Sequence, residues 1–517
     1  MKKYLFKRIL FSIFSLIVVV GVVMTLIYSL LNREAIFATD GVWSKMQGNN
    51  RVIYEMNKYE KYNYLEYENF NDFLKNKYFE IEGDDYAQNA NYKAAKDSLK
   101  DSNSYANNAD VKEFVALYES KGYEIQYYPI DKKTSACLLA VNEKSVFTRI
   151  WDYFTGLISI ETKNDVKTDK PIERYIRWEW DPISNMPALV GSGTSHKYLI
   201  YFDDRFPYIH QNIIHLNIGV SYVTYRDSEI STVITNPRGE AIYSEQEFPA
   251  QIGTGNYQNL PYDFHTVTYN YGELSEADKE QFKDDYTLAK MKYGGLSMLE
   301  NSFIIGIIAT IISYLLGLPL GVLMARKKDK LVDKIGMAYI IFIMAVPSLA
   351  YIFLFASIGM NVFGLPYKFA TAENKFLAYI LPTISLALPS VGSLMKWMRR
   401  YMIDQMNSDY VKFARAEGLS EGEIFSKHIS RNAMIYFVHG IPGSILGSLT
   451  GAIITERVYG VPGVGNLLTE AINSHDNGVI TACTLFYTFL SIVSIILGDI
   501  LLAKYDPRIS FTEGGGR

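Results

Sequence analysis

Cysteine is almost absent from this chain. Cys137 and Cys483 are the only two in 517 residues, so no disulfide framework can form and no Cys-x-x-Cys metal or redox spacing exists. The dipeptide Gly-Lys never occurs. A P-loop needs Gly-x-x-x-x-Gly-Lys-Ser/Thr, whose backbone amides and lysine hold phosphates, so that ATP site is excluded here. Histidine is scarce too, with seven in all. Only His210 and His215 lie close together, with no cysteine nearby and no His-Glu-x-x-His spacing, so a structural role is the plainer reading and no metal site is assigned. The adjacent carboxylates Asp203-Asp204 and Asp284-Asp285 read as solvated surface, because sequence neighbours need not face one site. A Gly-x-Ser-x-Gly spacing occurs once, at Gly418-Leu419-Ser420-Glu421-Gly422. A nucleophile elbow needs a strand before its serine, and the segment before this one is helix-compatible, so the match reads as chance. No catalytic constellation is left.

What the chain does have is hydrophobic length. Its 49% hydrophobic content conceals two populations. Residues 33–296 carry 29 Lys+Arg against 40 Asp+Glu, net −11, whereas the remainder carries 22 against 15, net +7. The basic excess sits at the ends of apolar segments, as membrane anchors require, which leaves a nucleic-acid partner without support. Ile9 to Leu31 is uncharged for 23 residues, enough to cross a hydrocarbon core of roughly 30 Å. Lys2, Lys3, Lys7 and Arg8 precede it, and Asn32-Arg33-Glu34 follows in place of a small-residue cleavage site, so it reads as a retained anchor. Five more candidates lie at about 299–325, 335–359, 377–395, 433–455 and 478–503.

Charge sets the direction. The loop Arg326-Lys327-Lys328-Asp329-Lys330, the stretch Lys396 to Asn432 and Lys504-Tyr505-Asp506-Pro507-Arg508 are basic and expected inside; 360–376 and 456–477 are expected outside. The expectation is six transmembrane helices with both termini cytoplasmic. Helix breakers recur: Gly317 and Pro319, Pro347, Pro382 and Pro389, then Gly440, Pro442 and Gly443. In lipid these are tolerated where neighbouring helices or a water-filled cavity satisfy the backbone. Gly443, Gly447 and Gly451 repeat every four residues, which suits close helix packing or, as the sharper alternative, a translocation path.

Between the fourth and fifth apolar segments lies Asp409-Tyr410-Val411-Lys412-Phe413-Ala414-Arg415-Ala416-Glu417-Gly418-Leu419-Ser420, flanked by Lys396, Arg399, Arg400, Lys427 and Arg431. It reads as a cytoplasmic helix followed by a second one that starts with Ser420-x-x-Glu423. Small residues at Ala414 and Gly418, four apart, would let it seat closely in a partner's cleft. Ala414-Arg415-Ala416-Glu417-Gly418-Leu419 resembles the core of the EAA-type coupling loop of ABC importer permeases of the oligopeptide/dipeptide branch, and His428 with Arg431-Asn432-Ala433 resembles its exit. Two departures stand: Lys412-Phe413-Ala414 replaces the general Glu-Ala-Ala, and Tyr436 stands where a proline is common. Glu456-Arg457-Val458-Tyr459-Gly460-Val461-Pro462-Gly463-Val464-Gly465 resembles the family's outer segment. Asp499 with Asp506-Pro507-Arg508 resembles its closing motif, Tyr4-Leu5-Phe6-Lys7-Arg8-Ile9-Leu10 its opening, and Leu216-Asn217-Ile218-Gly219-Val220-Ser221 the stretch before its second helix.

The resemblance implies the type I ABC importer permease fold, with residues 1–32 as N-terminus and first helix, 33–296 as a large mixed α+β extracytoplasmic domain, and 297–517 as a five-helix core. The coupling loop is 396–432. It implies coupling through Lys412, Phe413, Ala414, Arg415, Ala416, Glu417, Gly418 and Leu419, and a path or outer gate at Gly443, Gly447, Gly451, Glu456, Pro462 and Gly463. It also implies partners: a second permease, two ATPases that bind ATP and Mg in place of this chain, an extracytoplasmic peptide-binding lipoprotein, a peptide substrate and membrane lipids. No cofactor is expected on the chain itself. The long outer block, with Val190 to Tyr198 and on to Gln211-Asn212, resembles the Ami/Opp type with an enlarged first outer loop. A disulfide-free outer domain suits a Gram-positive cell membrane.

Within the outer block, Lys197 to Phe202 and Tyr222 to Tyr225 read as strands, 57–120 as helices and loops, and Ser102 to Ala109 as a linker. It holds 27 of the chain's 40 tyrosines, a composition suited to docking the lipoprotein or simply to a solvated domain. A ligand-sensing membrane receptor is the leading alternative, but it would be expected to lack the alanine-rich loop and the breaker-rich helices. Nickel or dipeptide uptake shares the same motifs.

Overall fold

The computed structural model describes residues 2–30, 33–131, 134–160, 175–181, 184–192, 198–202, 208–211, 213–225, 228–235, 241–247, 257–261, 292–293 and 295–505. Asp203-Asp204, Asp284-Asp285, Gly193 to Lys197, Asn212 and Asp506-Pro507-Arg508 lie outside the described residues.

The chain starts with helix α1 (Lys2–Leu30), then enters the block beyond its C-terminal end. There α2 (Asn49–Lys61), β1 (Leu65–Asn69), α3 (Phe70–Glu82), α4 (Ala90–Ser98), α5 (Ala109–Ser120), β2 (Glu124–Tyr128) and β3 (Cys137–Glu143) form an antiparallel sheet of order β1-β3-β2 between helices. The period-2 alternation of a strand decides the layering. Ala136, Leu138 and Ala140 face one core with Phe70, Leu74 and Phe114. Cys137, Leu139 and Val141 face another with Phe37, Met56 and Tyr59. Ser102–Ala109 is no linker: Tyr105 stacks on Tyr127 at 4.0 Å and 9° and belongs to the first core.

Next come α6 (Val146–Gly156) and β4 (Ile158–Ile160), then β5 (Tyr175–Asp181), β6 (Met186–Ser192), β7 (Tyr198–Phe202), β8 (Ile209–Gln211) and β9 (Ile214–Leu216). Strands β5-β6-β7-β8 make an antiparallel meander, and β4 pairs with β9. Of the strand expected at Lys197 to Phe202, the described part is present as β7. Tyr222 to Tyr225 forms a turn instead, because its backbone amides wrap a carboxylate described below. Helix α7 (Ile230–Thr235) and strands β10 (Ala241–Glu247), β11 (Tyr257–Pro261) and β12 (Lys292–Tyr293) complete the block.

The remainder is helical: α8 (Met298–Arg326), α9 (Leu331–Ala345), α10 (Ser348–Phe363), α11 (Ile380–Met406), α12 (Asp409–Ala416), α13 (Ser430–Val438), α14 (Ile441–Tyr459), α15 (Val464–Ser474) and α16 (Asn477–Tyr505). Among the described residues, four helices are long and apolar enough to cross a membrane, and up to six spans result if two bent pairs each count once. Those pairs are where the structure departs from six plain helices. The expected helix 335–359 is broken between α9 and α10, whose axes differ by 115°. Pro347 cannot donate a backbone hydrogen bond and drives Val346 into extended backbone, with φ −82° and ψ 130°. A milder bend of 48° separates α13 from α14 next to Pro442.

Helix α8 packs along α11 through Gly317 and Gly321. A Cβ at Gly317 would lie 2.8 Å from Leu394 Cβ, and one at Gly321 would lie 2.7 Å from Met398 Cβ. This is the small-x-x-x-small contact by which membrane helices approach closely. Beside Pro389, Ser313 Oγ donates to Ala387 O at 3.1 Å and Tyr339 OH to Leu388 O at 2.6 Å, so two neighbouring helices bond to the backbone of this turn. Two ion pairs tie the end of the bundle opposite the outer block: Arg8 to Asp499 at 2.9 Å, and Arg399 to Asp333 through paired contacts of 2.6 and 2.7 Å.

Candidate coupling loop and outer seam

The loop between α11 and α13 is built like a bracket. Helix α12 follows Ser408, which is extended at φ −74° and ψ 153°, and carries Asp409 in its first turn, where the helix dipole favours an acid. Val411 and Ala414, three apart, turn inward and join Ala325, Met398, Met402, Ile424, Ile429 and Ala433 in one cluster. Gly418 ends the helix with φ +85°, its N–H on Arg415 O and the Leu419 N–H on Ala414 O. Ser420 Oγ then accepts the Glu423 N–H at 3.3 Å, so it caps the next helix, as expected, and the segment before it is helix α12, not the strand that a nucleophile elbow needs. Arg415 clamps the two arms, its guanidinium donating to both Glu421 carboxylate oxygens at 2.6 and 3.2 Å.

This geometry corrects one expectation. Ala414 and Gly418 do not share an outward small-residue face: Ala414 is 4% exposed within the bundle's own cluster, and Gly418 lies past the helix end. An eight-residue helix must bury its apolar stripe at home before it can hold anything else. The outward face consists of Lys412, Phe413, Arg415, Ala416 and Glu417, with Phe413 65% exposed.

The glycine stripe of α14 behaves unlike that of α8. Among the described residues, nothing lies within 4 Å of a Cβ built at Gly443 or Gly447, so neither packs a helix of this chain. Glu456 sits at the other end of α14, fully buried. Its Oε1 accepts from Ser302 Oγ at 2.7 Å and its Oε2 from the Asn466 N–H at 2.9 Å. Ser302 Oγ in turn accepts the Val464 N–H at 2.9 Å, and Asn301 Nδ2 donates to Pro462 O. A carboxylate thus caps the start of α15 and anchors it to α8. Gly463 and Gly465 are needed for that approach, since a Cβ at Gly463 would collide with the Glu456 carboxyl group and one at Gly465 would stand 2.6 Å from Ile453 Cα.

A second buried carboxylate joins the outer block to the bundle. Asp476 Oδ2 accepts the N–H groups of Tyr222, Val223 and Thr224 and the Ser221 hydroxyl at 2.7 to 3.1 Å. Its Oδ1 accepts the Val479 N–H at the start of α16. Gly478 is in contact with this turn: a Cβ there would collide with Val220 O. Beside it Arg149, buried in α6, lies between the rings of Tyr28 at 3.4 Å and Tyr64 at 3.6 Å. Sequence reasoning missed Asp476, Gly478 and Arg149. The available signals were an acid just ahead of an apolar run, a typical cap position, and a lone cation in the apolar stretch 146–158.

His210 stacks on Tyr201, and among the described residues no group of three His, Cys, Asp or Glu is placed to hold a metal. Both cysteines are free and buried, in separate elements.

The family described as "binding-protein-dependent transport system inner membrane component" matches residues 317–511. The oligopeptide transport system permease protein AmiC of Streptococcus pneumoniae is 34% identical over 529 residues, covering 100% of both chains. This chain belongs to that permease family. The dipeptide transport system permease DppB of Bacillus subtilis is 29% identical over 50% of this chain and 80% of its own length. Among solved structures, the inward-facing MetNI methionine ABC transporter aligns with a TM-score of 0.32 and 11% identity, over 40% of this chain and 94% of that one. The permease is accordingly a membrane-embedded transport component, not an enzyme, with an α+β block between its first helix and its permease core. Its membership implies an ATPase partner and a substrate-binding partner.

Proposed function

We propose that this permease is one transmembrane subunit of an ATP-driven importer of oligopeptides, forming half of the translocation path with a second permease. The importer carries two ATPase subunits, which bind ATP and Mg, and one of them docks on the outward face of α12. An extracytoplasmic lipoprotein delivers peptide from the side of residues 33–296, and both termini lie in the cytoplasm of a Gram-positive cell. Full-length similarity to an oligopeptide permease supports the substrate class. The coupling role rests on one observation: α12 is exposed on one face and fused through Val411 and Ala414 to the ends of α8 and α11.

Force on Phe413 would pass into that cluster and, through the Arg415–Glu421 clamp, toward α13 and α14. The coupling set is Lys412, Phe413, Ala414, Arg415, Ala416, Glu417, Gly418 and Leu419, of which Ala414 and Leu419 transmit and Lys412, Phe413 and Ala416 touch the partner. On this reading the face of α14 that is open at Gly443 and Gly447 borders the path, Gly451 continuing the same stripe in the sequence, and Glu456 with Pro462 and Gly463 fixes the outer gate. Phe413→Asp is expected to leave membrane insertion intact and to cut peptide uptake by roughly thirtyfold or more, the scale of losing a buried aromatic anchor of about 2 kcal/mol. Undiminished uptake by this variant would remove the coupling role from α12.

A further inference from the structure

Among its described residues, the outer block carries an exposed apolar surface. On α6, Phe147 and Trp151 are one turn apart and exposed, Phe147 at 87%. The chain then enters the β4–β9 ribbon, where Ile158 pairs with Leu216 and Ile160 with Ile214. Residues directly opposite in an antiparallel pair share a face, so these four aliphatic side chains form one surface. Each of them is at least 51% exposed. Six large apolar side chains in two adjoining elements, without a charge among them, are costly to leave in water.

The other side of α6 says where this surface sits. Ile150, Tyr153, Phe154 and Leu157 pack into the cluster that contains Val20 and Met24 of α1 with Val479 and Ala482 of α16. Arg149 rests on Tyr28, one residue short of the end of the apolar span Phe6–Ser29. At about 1.5 Å of rise per residue, Met24 and Val20 lie roughly 6 and 12 Å further down that span. Helix α6 therefore lies against the rim of the membrane-spanning bundle, at the level where hydrocarbon gives way to headgroups. Trp with Phe and aliphatic neighbours is the composition favoured there.

We propose that α6 and the β4–β9 ribbon form an interfacial membrane anchor, with Phe147, Trp151, Ile158, Ile160, Ile214 and Leu216 inserted among the lipids of the leaflet that the outer block faces. The anchor depends on α1 spanning the membrane and not on the transported substrate. It holds the base of the outer block against the bilayer, so that the block cannot swing about the Asp476 turn.

Spin labels at Trp151→Cys and Ile160→Cys, in the full complex in lipid nanodiscs, test this by collision with oxygen and with a water-soluble nickel chelate. Leu315→Cys on α8 serves as the lipid-facing reference and Glu119→Cys on α5 as the aqueous one. Both test labels are expected to favour oxygen, as the Leu315→Cys label does. Accessibility to the nickel chelate matching that of Glu119→Cys would overturn the anchor, and so would shielding from both reagents, which would mean a protein partner covers the face. In an independent reading, the fluorescence lost in Trp151→Phe is expected to be quenched by lipids brominated near the headgroup, and absence of quenching would overturn the proposal. Peptide uptake by the unlabelled complex reports separately on the importer reading.

Discussion

At the residue scale, the glycines separate by what stands opposite them. Gly478→Ala would drive a Cβ into Val220 O, and overpacking of this kind costs about 1–3 kcal/mol. The purified protein is expected to melt several degrees lower, whereas Gly443→Ala, facing open space, should melt like the parent; equal melting of the two would disprove the contact. Lys144 makes a comparable prediction about acid. It bonds Asp152 Oδ2 at 3.0 Å and Glu66 Oε1 at 3.1 Å. Its ammonium holds both carboxyls below their ordinary range, with help from the Tyr123 hydroxyl at Glu66 and from Asn63 at Asp152. A depressed carboxyl binds its proton more tightly in the unfolded chain. The stability it adds is therefore present above the ordinary carboxylate range, about pH 4, and is lost as pH falls through the folded values. Lys144→Met is expected to flatten the fall of melting temperature between about pH 5 and pH 3, and an unchanged slope would assign the acid sensitivity elsewhere. Burial pushes the Cys137 thiol up to about 11, so maleimide should label it only after unfolding.

At the element scale, the turn around Asp476 is the joint of the molecule. Asp476→Ala strips acceptors from three buried or half-buried backbone N–H groups and the Ser221 hydroxyl, a loss of about 3 kcal/mol or more. Limited proteolysis is expected to cut between the outer block and α8 faster in this variant, and an unchanged digestion pattern would show that the joint is held by other contacts. Elements were legible in the sequence where one period ruled. Apolar length places α8 and α16 within two residues of their expected bounds, whereas α1 begins seven residues before its expected start and α11 runs eleven past its expected end; Ser420 marks a helix start. Legibility ended where distant residues decide. Tyr222–Tyr225 has strand composition, yet a carboxylate more than 250 residues away bends it. The stripe at Gly443 and Gly447 has a packing period without a packing partner among the described residues, while Gly317 and Gly321, of which only Gly317 stands out as a helix breaker, make the tight crossing. Pro347 was visible as a breaker, but the 115° turn it allows depends on how α9 and α10 each pack on α11.

At the scale of the whole molecule, the two ends of the bundle have separate tasks. One end gathers Glu456, Asp476, α15 and the base of the outer block into buried, carboxylate-capped joints. The opposite end carries α12 as a protruding bracket clamped by Arg415 and Glu421. The family and the bracket's place between α11 and α13 could be read from ordered motifs in the sequence. The outward residues of the bracket could not, because residue spacing does not tell which face of an eight-residue helix packs at home, and Ala414 is the bracket's root. Affinity purification of the tagged chain from its native membrane in lipid-preserving particles, with mass spectrometry of what accompanies it, tests the central claim most directly. The account predicts two P-loop ATPases, a second permease and a substrate-binding lipoprotein, with ATPase recovery reduced in Phe413→Asp. Recovery of the chain without any ATPase, repeated across several solubilising conditions, would contradict it.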